Sequence, residues 1–363
     1  MQSAQRCGAL FEDNEMNRSS PPRVSIVTPV HNGAEYLSEC IESVLSQSYQ
    51  NWDYTIVDNC STDNSVEIAE RYIAGDSRIR IHRNPQFLGA IPSHNAALRL
   101  ISPSSKYCKV VFADDWIFQE CLERMVAVAE KFPTTGIIGA YVLEEQNVIC
   151  SGLPYQSTFV TGREICRQHL LNKLYVLGSA NSLLFRSELI RSRDPFLNEA
   201  NIHADTEACF ALLDSCDFGF VHQVLTFTRV RAGSLTAASN DMQTSFSGTL
   251  QILMEHGRNY LACEELEVLL RDHLAGYYRF LGKSLLRGQR ETLRYHKGVL
   301  AKTKYGFSWL RVVLGGLSTL LALALNPKST TEKLLKGGDS PGAAEHRYLS
   351  KQAAAVDKGD TIG

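Results

Sequence analysis

Between Val24 and Phe112, short apolar runs alternate with stretches whose apolar residues recur at helical spacing, and this alternation restricts the fold more than any other feature of the chain. The runs are Val24 to Val27, Tyr54 to Val57, Ile79 to His82 and Lys109 to Phe112. Between them, Leu37, Ile41, Val44 and Leu45 mark a helix over Glu35 to Ser46, and Val66, Ile68, Ala69 and Ile73 mark another over Asp63 to Ile73. Ala96 to Leu100 continues a third. The order β-α-β-α-β-α-β needs crossover connections, so it predicts an α/β fold with a mainly parallel, Rossmann-like sheet covered by helices on both faces. In such sheets, ligands bind beyond the carboxyl ends of the strands. Asp58 ends the second run, and Asp114 and Asp115 follow the fourth. Topology thus gathers separate acidic sites into one candidate pocket.

The segment Phe112-Ala113-Asp114-Asp115-Trp116 carries the chemistry. Two adjacent carboxylates at a strand end suit a packed core poorly. They suit a hard cation such as Mg²⁺ or Mn²⁺, which takes oxygen ligands and often binds through one or two carboxylates plus substrate phosphates. A formal net charge of −2 argues against nucleic acid as a partner. Ten scattered cysteines with no C-x-x-C pair give neither zinc spacing nor a disulfide framework, which points to a reducing compartment. Residues 1–22 are polar, read as a disordered leader, and contain no signal peptide, so a cytoplasmic catalytic part is expected.

Further on, helices are expected over Glu120 to Phe132, Thr161 to Leu174 and Asp205 to Leu213. Strands are expected over Gly136 to Val142 and Ser182 to Phe185, and one long strand or a pair over Phe218 to Phe227. From Thr249 to Leu300 the pattern is helical, and the main boundary is placed near Ser239. The resulting division is a domain over 23–238 (donor half about 23–118, acceptor half about 119–238), a helical extension over 239–305, an apolar helix over 306–326 and a flexible tail over 327–363. Phe307 to Leu325 is apolar with one charge, Arg311. A spanning helix needs about 20 apolar residues. Here Ser308, Arg311, Gly315, Ser318, Thr319 and Ala322 form a narrow stripe of small and polar residues on a wide apolar surface. That pattern fits a helix lying in a membrane interface, or one packed on a partner through its small residues. Burial in the protein's own core is the third option, and a true membrane span the fourth.

Three ordered motifs then narrow the reading: Val24-Ser25-Ile26-Val27-Thr28-Pro29-Val30-His31-Asn32, Ser43-Val44-Leu45-Ser46-Gln47-Ser48-Tyr49, and Ile56-Val57-Asp58-Asn59-Cys60-Ser61-Thr62-Asp63-Asn64-Ser65. With Leu88-Gly89, Asn95, Ala113-Asp114-Asp115, His203-Ala204-Asp205, and Arg229-Val230-Arg231 followed by Ser234 and Thr236, the stretch from about 23 to 236 resembles the inverting family 2 glycosyltransferases of GT-A fold. The resemblance implies transfer of a sugar from a nucleotide-diphosphate sugar to a hydroxyl of a glycan or lipid-linked acceptor in surface polysaccharide or glycolipid synthesis. It implies that Thr28, Pro29, Val30, Asn32, Asp58, Asn59, Ser61, Gly89, His94, Asn95, Asp114, Arg229 and Arg231 surround the donor. Asp115 is then the direct metal ligand, supported by Asp114, and Arg231 meets the diphosphate. Asp205 is the general base, with Glu207 as fallback, while His203 is a structural histidine. The chain departs from the family's pattern at Asn59, where relatives often carry a second acid, and at His31 and Gly33 around Asn32. The base is therefore open: uridine is the default, and thymidine or guanosine remain. An enzyme acting on lipid-linked acceptors would sit peripherally on the inner face of the plasma membrane, touching it through 306–326.

Three rivals remain. A nucleotidyltransferase would carry a Gly-rich basic loop near the first strand, which Pro29 to Glu35 lacks, and a dehydrogenase would carry G-x-G-x-x-G, also absent there. A non-catalytic sugar-nucleotide-binding or scaffold protein would not need Asp58, Asp115 and Asp205 together. The sugar, acceptor, linkage and oligomeric state are not encoded in any motif.

Overall fold

The computed structural model describes residues 20–231 and 234–325. The expected leader, apart from its last residues, and the expected tail lie outside the described residues. Among the described residues, ten strands form one sheet: β1 (Val24–Val30), β2 (Trp52–Asp58), β3 (Ile79–Arg83), β4 (Tyr107–Val110), β5 (Trp116–Ile117), β6 (Thr135–Glu144), β7 (Asn147–Ile149), β8 (Phe159–Val160), β9 (Leu184–Arg186) and β10 (Asp217–Thr228). The helices are α1 (Leu37–Leu45), α2 (Ser65–Ile73), α3 (Ala90–Leu98), α4 (Cys121–Lys131), α5 (Gly162–Leu170), α6 (Ser187–Arg191), α7 (Ala204–Leu212), α8 (Leu235–Met242), α9 (Ser245–Glu255), α10 (Gly257–Tyr260), α11 (Cys263–Leu286), α12 (Arg290–Ala301) and α13 (Trp309–Leu325).

The sheet order is β3-β2-β1-β4-β9-β6-β10-β5, with β7 beside β6 and β8 beside β10. The four strands at the β3 end are parallel, as the alternation predicts. The register aligns their carboxyl ends: Val30 pairs with Asp58, and Asp58 with Arg83. Strand β9 runs antiparallel to both β4 and β6, while β6 and β10 are parallel to each other. Both faces are covered. Val24, Ile26 and Val30 belong to one apolar cluster and Val27 to the other, as side-chain alternation along a doubly buried strand requires. The cluster containing Val27 extends through α3, α5, α7 and α9 as far as Val312 in α13.

Some boundaries differ from expectation. The fourth strand ends at Val110, because Phe112 to Asp115 turn out of the sheet, the Asp115 amide donating to the Phe112 carbonyl at 3.0 Å. The expected Thr161 to Leu174 helix stops at Leu170, and Asn172 takes a left-handed φ of 55°. Thr161 starts it, its hydroxyl accepting the Glu164 amide. The alternative of a strand pair over Phe218 to Phe227 resolves as the single strand β10, with register shifts near Val224. Ser239 lies inside α8, and the helices that follow share the core of the sheet.

The last helix packs on α11 through its small residues. Gly315 and Gly316 face Tyr278 and Gly282 so closely that a Cβ on Gly315 would lie 2.3 Å from the Tyr278 carbonyl oxygen. Its other side leaves Trp309, Leu310, Leu317, Leu320 and Leu321 exposed. No helix among the described residues is long and apolar enough to cross a membrane.

Candidate active site

A cavity of about 790 Å³ opens at the carboxyl ends of the parallel strands. The turn after β4 brings Asp114 and Asp115 to its floor, and the short β5 fixes them there. Trp116 and Ile117 pair antiparallel with Phe227 and Thr226 of β10, and the Trp116 ring stacks on Phe227 at 4.9 Å. This pairing sets the acidic turn against the residues that follow β10. The Arg229 amide donates to Asp115 Oδ1 at 2.9 Å, and Arg231 Nε donates to Asp114 Oδ2 at 2.5 Å.

The two carboxylates differ. Asp115 is 3% exposed, and its other oxygen accepts from Asn181 Nδ2 at 2.8 Å. Burial raises its carboxyl to about 7, against the lowering pull of the Arg229 amide, and the neighbouring charge of Asp114 adds to the rise. The Asp114 side chain stays 22% exposed, toward the cavity. Asp114 is thus the more exposed of the two, with one oxygen held by Arg231, and Asp115 is anchored through both of its oxygens.

Asp205, in the first turn of α7, lines the same cavity. Burial holds its carboxyl above the usual range, opposed by the Thr206 amide at 2.7 Å and by nearby His203. Glu207, the fallback base, faces away from the cavity. It is buried, bound by Arg193 at 2.8 Å and by His256 at 3.3 Å, and these partners hold its carboxyl below the usual range despite burial. It is a structural ion pair.

Of the residues assigned to the donor, Pro29, Val30, Asn32, His94, Asp114, Arg229 and Arg231 line the cavity. Thr28, Asp58, Asn59, Ser61, Gly89 and Asn95 do not, and the hydrogen bonds explain why. Thr28 is fully buried and donates to the Val111 carbonyl at 2.7 Å. Asp58 accepts the Ser61 amide at 3.1 Å, and the Ser61 hydroxyl accepts the Asn32 amide at 3.0 Å. Asn59 clamps the loop before α3, accepting from the Leu88 amide and donating to the Leu88 carbonyl. Gly89 is the residue before α3, with an ordinary φ of −60°. Asn95 holds both the amide and the carbonyl of Leu197. These side chains shape the loops that form the wall.

Three further residues have surroundings that the motifs did not specify. His94 packs on Phe112 with ring centroids 5.2 Å apart, and burial lowers its imidazole to about 4, so at neutral pH it offers a hydrogen bond and no charge. The Arg229 guanidinium pairs with Glu39 at 2.6 Å and lies 4.4 Å from the Tyr36 ring centroid, which leaves Arg231 as the cation free to exchange partners. Cys60 takes a left-handed φ of 59°, with its thiol 3.5 Å from the Asn84 carbonyl, and serves the turn.

Sequence reasoning missed Asn181. It sits in a short 3-10 turn before β9, is fully buried, donates to Asp115 and accepts the Phe112 amide at 3.3 Å. Lys109, fully buried in β4, donates to the Asn181 and Leu183 carbonyls and so holds that turn. The only signal was a lysine inside an apolar strand. Also unforeseen is most of a hydroxyl-rich wall from α8 and α9, where Ser239, Asn240, Ser245 and Thr249 join Thr236 in lining the cavity.

Comparison with known proteins agrees with this fold. A family model described as glycosyl transferase family 2 matches residues 25–191. The glycosyltransferase GlyG of Streptococcus pneumoniae serotype 4 is 27% identical over 289 residues, covering 76% of this chain and 90% of GlyG. An uncharacterised glycosyltransferase of Haemophilus influenzae is 34% identical over 105 residues, covering 29% of this chain and 41% of that protein. Among solved structures, S. aureus TarS 1–349 in complex with UDP-GlcNAc superposes with a TM-score of 0.57 at 17% identity, covering 77% of this chain and 81% of that one. At that identity the likeness speaks for the fold.

Proposed function

We propose that this chain, a glycosyltransferase whose family 2 domain spans residues 25–191, is an inverting, metal-dependent enzyme that moves a sugar from a nucleotide-diphosphate sugar to an acceptor hydroxyl. One observation carries the reading: Asp114, Arg231 and Asp205 line a single cavity at the carboxyl ends of the parallel strands. The donors at Asp114 and Asp115 are all carboxylate oxygen, the set that suits Mg²⁺ or Mn²⁺. When bound there, such a cation supplies Lewis-acid stabilisation of the charge on the departing diphosphate.

The chain's own residues do the rest. Arg231 leaves Asp114 and turns its fork of donors to the diphosphate, where a guanidinium matches phosphate geometry. Asp205 accepts the proton of the acceptor hydroxyl as that oxygen attacks the anomeric carbon from the side opposite the leaving group, which inverts the centre. The hydroxyl-rich wall of α8 and α9 suits a glycan or the sugar of a glycolipid. UDP is the default nucleotide, and TarS was crystallised with UDP-GlcNAc. A peripheral position on the inner face of the plasma membrane, with residues 306–326 at the surface, accords with the exposed apolar side of α13.

The test is thermal stabilisation by a panel of nucleoside diphosphates, each with and without Mn²⁺. A shift is expected with one nucleotide plus metal and is lost in Asp114→Ala. No shift with any nucleotide would overturn the donor site.

A further inference from the structure

A second cavity, about 990 Å³, lies away from the catalytic one, between α9 and α10 on one side and α11 and α13 on the other. Its floor is apolar, made of Leu253, Leu266, Leu270 and Leu274, with the exposed Leu314 at its edge. Its rim is cationic. Arg258, Arg271, Arg279, Lys304 and Arg311 line it against two carboxylates, Glu255 and Glu267, in a chain whose net charge is −2. Arg271 pairs with its neighbour Asp272 at 3.2 Å, and Arg311 lies 5.5 Å from the Tyr278 ring centroid. Among the described residues, Arg258, Arg279 and Lys304 have no carboxylate within ion-pair distance. The rim is continuous with the exposed face of α13, where Trp309, Leu310, Leu317 and Leu321 meet solvent.

From this juxtaposition we infer that the groove is a binding site for an anionic phospholipid at a membrane surface. Its basic rim takes the phosphate headgroup, its leucine floor takes part of an acyl chain, and the apolar face of α13 enters the interface beside it. The occupant follows from the charges. An apolar peptide or a zwitterionic bilayer would use the leucines and leave Arg258, Arg279 and Lys304 without an anionic partner, whereas an anionic lipid satisfies both. The small-residue packing of α13 on α11 serves the same end, because it spends the helix's glycines on the protein and leaves its large apolar side chains outward. One α-helix separates the two cavities: Ile252 of α9 lines the catalytic cavity, and Leu253 lines the groove. The inference rests on the membrane-facing reading of α13 and adds the lipid's charge and the residues that recognise it.

The test is flotation of the full chain with vesicles of phosphatidylcholine alone and of phosphatidylcholine mixed with phosphatidylglycerol. Binding should favour the anionic vesicles and fall with salt. The triple variant Arg258→Gln, Arg279→Gln, Lys304→Gln should lose on the order of a hundredfold in affinity for them, with its melting temperature and nucleotide-induced shift unchanged. Leu317→Ser with Leu321→Ser should weaken binding to both kinds of vesicle. Equal binding to the two vesicles, or an unchanged triple variant, would overturn the lipid site while leaving the membrane-facing reading intact. Binding to neither, with a dimer in solution that the leucine variant splits, would assign the face to a second copy and overturn both. The nucleotide shift is read separately, so a failed donor site cannot be mistaken for a failed lipid site.

Discussion

Burial holds the Asp205 carboxyl above the usual carboxylate range, and this has a measurable consequence. The base must be ionised to accept a proton, so activity is lost as pH falls through its pKa. The acid limb of kcat/KM should therefore lie above the ordinary value of about 3.9. Asp205→Asn should cost ~10²–10⁴ in kcat with no change in melting temperature; near-full activity would remove it from the base role. Asp115 supplies a second pH signature. With its carboxyl at about 7, proton and cation compete below that pH, so Mn²⁺ affinity should rise with pH up to about 7 and then level. Calorimetric titration across that range checks it, and a flat profile would exclude Asp115 from the cation site. Asn181→Leu leaves the Phe112 amide and one Asp115 oxygen without their partner. An unsatisfied buried group costs about 1–3 kcal/mol, so about tenfold weaker Mn²⁺-dependent nucleotide binding is expected. The position of Asp205 at a helix start was readable from its motif. Asn181 was not, because its role comes from a turn that β9 and the buried Lys109 bring against β4.

At the scale of elements, the parallel strands and the first helices followed from periodicity, which local sequence encodes directly. The break of the long helical pattern after Thr249 into separate helices did not, since Leu-, Glu- and Arg-rich stretches keep helical spacing across their own turns. The small-residue stripe on α13 was visible, but its alternatives were not separable until α11 was seen to supply Gly282 opposite Gly316. Gly282→Val should separate these helices, because a Cβ there would lie 2.1 Å from the Gly316 amide nitrogen. Overpacking of this kind costs about 1–3 kcal/mol, which a thermal unfolding curve would report; an unchanged curve would mean that α13 does not depend on this contact.

Across the whole molecule, one apolar cluster joins the sheet to the C-terminal helices: Phe210 of α7, Tyr260 of α10 and Tyr277 of α11 belong to it together. Arg167 of α5 reinforces the join with a two-point ion pair to Glu265 at 2.6 Å. A chain ending at residue 238 should therefore expose this core and bind the dye ANS; a monomer that melts cooperatively without dye binding would make the helices a separable unit. By itself, the sequence determined the α/β alternation, the acidic turn after β4 and the base candidate in the first turn of α7, because each is a local pattern with a local cause. Only the tertiary structure decided how differently the two cavity carboxylates are buried, which donor-motif residues are tied into loop hydrogen bonds, and that Glu207 is an ion pair. Those outcomes depend on partners far along the chain: Arg229 is 114 residues from Asp115, and Leu197 is 102 from Asn95. No window of sequence contains both members of such a pair, so their contact and its energy exist only once the chain has folded.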